Sequence, residues 1–159
     1  GVDPAVTNSE TSDEWGIGAA SLYMNDKSRV DADYTLKTST DKAADIIINA
    51  YEEHEADAVV VEVNQGGDLV ENVLRLKHFK GRIIKVWASK GKFARAEPIS
   101  ALYEQNLVKH PSEGLEELET EMTEWVPLHT KESPNRLDWC VWALTDLYDI
   151  GANKRIGVL

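Results

Sequence analysis

The chain has 159 residues, a formal net charge of -11 and one cysteine, with 42% apolar and 28% charged residues. That length suits one globular domain, residues 1–159, able to bury roughly 70% of its unfolded surface, and the lone Cys140 excludes an internal disulfide framework. With the lone cysteine and no charged-then-apolar leader, a cytosolic compartment is expected; no stretch approaches the ~20 apolar residues of a membrane span, and the acidity opposes unspecific phosphate binding.

In chain order, Asp3 sits beside Pro4 on a short first strand, and its nearness to Gly1 makes the start of the chain an expected fragment boundary. The runs Trp15 to Tyr23 and Arg29 to Lys37 read as an antiparallel hairpin turning at Asn25, Asp26 and Lys27. Ser39 or Thr40 then caps a helix in which Ala44, Ile47, Ile48 and Tyr51 recur at steps of three and four, ending near His54. Residues 58–63, AVVVEV, form a β-branched run suited to a strand covered on both faces, followed by a turn at Gln65, Gly66 and Gly67. A helix over Asp68 to Phe79, a break at Gly81, a strand over Arg82 to Ala88, a loop with Gly91 and a helix over Ala96 to Gln105 come next. The remainder is helical, its last helix opened by Ser133 as N-cap with Pro134 at the first helical position and running to about Tyr148. Three strands in meander, then helix, strand, helix, strand and helices, predict an α/β domain. The order is ribonuclease H-like, with a mixed five-stranded sheet flanked by helices.

Charge is unevenly spread. Between Asn72 and Ala96 there is no Asp or Glu, while Arg75, Lys77, Lys80, Arg82, Lys85, Lys90, Lys92 and Arg95 all fall there, interleaved with Leu74, Phe79, Ile84 and Trp87. Cations on structured elements suit a nucleic-acid surface, and a merely solvated basic face stands beside that reading. From Glu113 to Glu124 six glutamates surround Leu115, Leu118, Met122 and Trp125 at helical spacing, an amphipathic helix whose acidic face serves solubility. The five tryptophans, Trp15, Trp87, Trp125, Trp139 and Trp142, fall in elements expected to pack, so core is favoured over base stacking.

Three acids stand where burial selects apolar side chains. Glu62 shares a strand face with Ala58 and Val60; Asp138 lies among Leu137, Trp139, Cys140, Val141 and Trp142; Asp3 lies on the strand expected beside that of Glu62. A bare buried carboxylate is costly. Each has a structural alternative: Asp3 as a turn residue, Glu62 paired with an arginine, Asp138 bonded to Arg136 or capping a backbone. Together they come from two adjacent strands and the last helix and converge where two hard divalent cations, Mg²⁺ or Mn²⁺, could sit, the arrangement for in-line phosphodiester hydrolysis. Asp13 is a possible fourth acid. No GxxxxGK[ST] loop is present, so the chain should not hydrolyse ATP. His54, His78, His110 and His129 lack zinc spacing and suit no Cys/His nucleophile pair.

Four blocks resemble the C-terminal nuclease domain of the large terminase subunit of tailed bacteriophages or their prophages: VDPA followed by SDEWGI, VVVEVNQGG, ASKGKFARAEPISALYEQNLVKH, and SPNRLDWCVWALTDL. They span nearly the whole chain in family order. The resemblance implies a ribonuclease H-like, metal-dependent endonuclease that cuts concatemeric viral DNA during packaging, in the cytoplasm of the infected bacterium. It implies Asp3, Glu62 and Asp138 as catalytic metal ligands, Asp13 as an accessory acid, and Lys90, Lys92 and Arg95 as contacts to the DNA backbone. Two ions, Mg²⁺ or Mn²⁺, are the implied cofactors. The implied partners are double-stranded DNA, an ATPase domain of the same parent protein, the small terminase subunit and the portal. The chain departs from the family at Asn135, where an acid is usual, and at Trp139, where alanine is usual. A Holliday-junction resolvase would share the acids without the third and fourth blocks. A non-catalytic docking module of the packaging motor, binding through the acidic helix, is the rival from another class.

Overall fold

A computed structural model describes residues 1–5, 14–23, 26–63, 69–126 and 134–149. Among them are six strands, β1 (Val2–Asp3), β2 (Gly16–Tyr23), β3 (Lys27–Asp33), β4 (Ala58–Glu62), β5 (Arg82–Val86) and β6 (Val108–Lys109). The helices are α1 (Thr40–Glu53), α2 (Leu69–Leu76), α3 (Lys92–Glu104), α4 (Glu116–Glu124) and α5 (Asn135–Leu147). The strands form one sheet in the order β5-β4-β1-β2-β3-β6. β1–β2 and β2–β3 pair antiparallel, whereas β1–β4, β4–β5 and β3–β6 pair parallel. The mixed sheet agrees with the expected order of elements and carries one strand more than the five expected. That strand, β6, is two residues long and pairs Ser28 with Val108 and Arg29 with Lys109, too short to leave a periodic signal.

The alternation along each strand separates two packing faces. Val59 and Val61 of β4 join Val2 and Ile17 in a core closed by Ala43, Ala44 and Ile47 of α1 and Val70 and Leu74 of α2. On the other face Val30 and Val108 pack beneath Ile99 of α3, Leu118 of α4 and the α5 residues Trp139, Cys140, Val141 and Leu144. The helix α5 lies close on β2 because two glycines admit it. A Cβ at Gly16 would fall 2.3 Å from the Asn135 carbonyl oxygen, and one at Gly18 would fall 2.2 Å from the Trp139 ring. Trp139 is thus fully buried, with its indole N–H donating to Asp33 Oδ1 at 3.2 Å.

Boundaries moved for identifiable reasons. β3 stops at Asp33, whose carboxylate accepts the Thr35 N–H and turns the chain, leaving a single Trp15–Leu36 bridge beyond it. α3 starts four residues before the expected Ala96 and carries Pro98 inside it, with Gly91 at the N-cap. α5 begins at Asn135 with Pro134 at the cap position. Its first N–H groups, those of Arg136 and Leu137, are accepted by Glu121 Oε2 of α4 at 3.0 and 3.1 Å. Ser39 caps α1 as expected, accepting the Lys42 N–H at 3.4 Å. The expected turn at Gln65, Gly66 and Gly67, the turn residue Asn25, Asp68, His129 and Ser133 lie outside the described residues.

Trp15, Trp139 and Trp142 are buried as expected and Trp125 is partly so, but Trp87 is 64% exposed. The reason is positional: β5 is the edge strand and ends at Val86, so the chain has left the sheet at Trp87. Cys140 is a buried free thiol, pushed up to about 12 by burial, and none of the described helices is long and apolar enough to cross a membrane.

Candidate functional site

Glu62 is the last residue of β4, a strand whose β-branched run Val59–Val61 is buried on both faces. Val2 of β1 pairs in parallel with Val61 toward the α1 and α2 side, so the next pair, Asp3 and Glu62, points together to the α5 side. Val60, two residues before Glu62, packs there against Ile84 and Trp142. Asp138 sits in the first turn of α5, four residues before Trp142 and therefore on the same face of the helix. The Trp142 indole N–H donates to Glu62 Oε2 at 2.5 Å. Asp3, Glu62 and Asp138 thus meet between the carboxyl ends of β1 and β4 and the start of α5.

The compensation that Asp138 requires comes from α3. Lys92 and Arg95, three residues apart, lie on one helical face directed at the acids. Arg95 NH1 lies 3.2 Å from Glu62 Oε2 and NH2 3.0 Å from Asp138 Oδ1, while Lys92 Nζ pairs with Asp138 Oδ2. The guanidinium carbon stands 4.6 Å from the centre of the Trp142 ring. The pairing of Glu62 with an arginine is realised by Arg95, and Asp138 uses Lys92 and Arg95 in place of Arg136. Arg136 points elsewhere, to Glu14, Asp33, Glu121 and Glu117.

Among the described residues, Asp3 is the acid with no ion pair of its own. Burial, then the negative charges of Asp138 and Glu62, push its carboxyl up to about 7 against the weaker opposing pull of Lys92 and Arg95. Burial also raises Asp138, with Lys92 and Arg95 pulling the other way. The donor set is three carboxylates on three elements, all hard oxygen, with one of them uncompensated, and this fits divalent Mg²⁺ or Mn²⁺. Among the described residues, however, no three acid, histidine or cysteine side chains stand in a ready-made metal-holding arrangement. Glu62 Oε2 and both oxygens of Asp138 are turned instead to Arg95, Lys92 and Trp142. Asp13 lies outside the described residues.

The basic window is less of a free surface than its composition suggests. Besides Lys92 and Arg95, Lys77 pairs with Asp41 at 2.9 Å and Asp45 at 2.8 Å, Lys85 pairs with Glu71 at 2.8 Å, and Arg75 lies 3.7 Å from Glu71. The window lacks acids in sequence but not in space, because α1 and α2 bring Asp41, Asp45 and Glu71 to it. Lys80, Arg82 and Lys90 remain exposed. Lys92 and Arg95 therefore stand in the acid cluster, the Lys92 side chain 36% exposed and that of Arg95 9%. The position of Trp142 was legible in principle, since a tryptophan four residues after a helical acid shares its face. Two of the histidines take structural places: His54 against the Tyr34 hydroxyl, and His110 between Tyr103 and Glu119.

The family model described as a terminase RNaseH-like domain matches residues 1–147 of the chain. A search of the curated proteins found no match.

Proposed function

On the premise that this chain belongs to the terminase RNaseH-like domain family, we propose that it is a divalent-metal-dependent endonuclease that cuts concatemeric viral DNA during genome packaging. The observation that carries the reading is the meeting of Asp3, Glu62 and Asp138 from β1, β4 and α5, with Asp3 left uncompensated. These three acids would hold two Mg²⁺ or Mn²⁺ ions, which supply charge stabilisation at the attacking and leaving oxygens of the phosphodiester. Asp13 is the proposed accessory ligand.

The chain's own residues do the positioning. The parallel β1–β4 register holds two of the acids side by side, and Glu121 anchors the α5 terminus that carries the third. The Trp142 N–H fixes one oxygen of Glu62, leaving that side chain a single orientation. Lys92 and Arg95 lower the repulsion among the acids and stand within reach of a phosphate brought to them. Exposed Lys90 and Trp87, just beyond the end of β5, offer a phosphate contact and a flat apolar face to the nucleic acid. Double-stranded DNA is the proposed substrate. The proposed partners are an ATPase domain of the same parent protein, the small terminase subunit and the portal, in the cytoplasm of the infected host.

The test is to incubate the domain with supercoiled plasmid and Mn²⁺, with and without EDTA, beside Asp138→Asn. Nicking that needs the metal and is lost in the variant supports the reading. Absence of nicking at micromolar protein refutes it and favours a docking module, whose acids Lys92 and Arg95 would neutralise permanently.

A further inference from the structure

The nuclease reading asks the acids to accept two divalent cations, yet two of the three acids already hold cations belonging to the chain. Arg95 spans them with its planar fork, one nitrogen on Glu62 of β4 and the other on Asp138 of α5. A fork of this kind holds two carboxylates in a geometry that a lysine cannot reproduce. The side chain is 9% exposed, and its Nε is buried with no hydrogen-bond partner among the described residues. A buried donor left unpaired is costly. Its place is therefore owed to the two carboxylates and the Trp142 ring, not to satisfaction of all its donors.

Charge counting limits what else can enter. Among the described residues, three ionised carboxylates with Lys92 and Arg95 leave a formal charge of -1 in the cluster, which one divalent ion turns to +1 and two would turn to +3. Cations crowded to that extent repel one another in a partly buried site. With Arg95 withdrawn to the phosphate of a bound strand, the cluster loses a cation as the substrate adds an anion, and a second ion is accommodated.

We propose, building on the nuclease reading, that Arg95 is a resident cation filling one of the two ion positions. The DNA-free domain then holds a single divalent ion, and the second enters only when DNA draws Arg95 away from Glu62 and Asp138. Arg95 is thereby a positioning residue that couples metal loading to substrate, and free domain is kept short of its full metal complement.

The experiment counts Mn²⁺ on the DNA-free domain by calorimetric titration and by electron paramagnetic resonance of unbound Mn²⁺, for wild type, Arg95→Gln, Arg95→Lys and Asp138→Asn. Wild type is expected to bind one ion, rising to two with a duplex of phosphorothioate DNA that resists cutting. Arg95→Gln is expected to bind two ions without DNA, with the first tightened by about tenfold or more, equivalent to roughly 1.4 kcal/mol of competition removed. Arg95→Lys keeps the charge but loses the fork and falls between. Two ions on DNA-free wild type overturn the proposal. So does unchanged stoichiometry and affinity in Arg95→Gln while Asp138→Asn loses binding, a result that leaves the nuclease reading intact. Failure of every protein to bind Mn²⁺ at millimolar concentration removes the metal reading and this proposal with it. Melting in EDTA verifies folding; if Arg95→Gln is unfolded, Arg95→Lys decides, and wild-type behaviour in it overturns the proposal.

Discussion

Replacing Asp3 by asparagine should stabilise the metal-free domain while removing its response to metal. The carboxyl is pushed from 3.8 up to about 7, by burial first and then by Asp138 and Glu62. Because the folded state holds the proton more tightly than the unfolded one, the contribution of Asp3 to stability is fully present below about pH 4 and is lost as pH rises to 7. The shift, at about 1.4 kcal/mol per unit, corresponds to roughly 4 kcal/mol forgone above neutrality. Asparagine keeps the shape without the charge, and since its amide must find new partners, a gain of about 1–3 kcal/mol at pH 8 is the expected fraction. For a domain of this size each kilocalorie raises the melting temperature by roughly 2–4 °C. The assay is urea and thermal unfolding of both proteins in EDTA at pH 4, 6 and 8, where their difference should be near zero at pH 4 and almost fully open at pH 7. Mn²⁺ should then raise the melting temperature of wild type but not of the variant. A variant less stable than wild type at pH 8 in EDTA, by as much as at pH 4, would refute the claim that Asp3 is an uncompensated charge.

Gly18→Ala places a methyl group 2.2 Å from the fully buried Trp139 ring, so the domain should lose about 1–3 kcal/mol in urea melts; a neutral result would mean that α5 can rise off β2. Trp87→Ala should weaken binding to DNA with an unpaired stretch by about tenfold, the worth of one stacked base, with no change in melting temperature because the ring is 64% exposed. Unchanged affinity in a fluorescence-anisotropy titration would remove Trp87 from the nucleic-acid face. Arg136→Met leaves Glu14, Asp33, Glu117 and Glu121 facing one another. With two of those acids well exposed, the loss should be about 2 kcal/mol by chemical denaturation, below the full cost of breaking a buried pair.

Local chemistry made much of the molecule legible. The β-branched run before Glu62, the three- and four-residue spacing through α1 and α4, and the Ser39 cap mark their elements because strand and helix each impose a period on apolar side chains. Acids inside apolar runs are visible for a related reason: an unpaired charge does not persist in such surroundings without a use, so Glu62 and Asp138 stand out in sequence and Asp3 follows from strand order. The order of elements likewise announced the α/β sheet and its mixed pairing.

What the chain alone left open were choices among distant partners. An acid-free stretch from Asn72 to Ala96 reads as a basic surface, but whether Lys77 meets solvent or Asp45, and whether Arg95 meets DNA or Glu62, depends on where α1, β4 and α5 arrive. Trp87 and Trp142 look alike in sequence; the first is exposed because β5 ends at the sheet edge, the second is buried because α5 lies across β4. Period and composition act over a few residues and therefore determined the elements and the odd acids. Charge pairing acts across space, and only the close approach of α5 to the sheet, permitted at Gly16 and Gly18, decided that the three acids would meet and that two cations from α3 would meet them there.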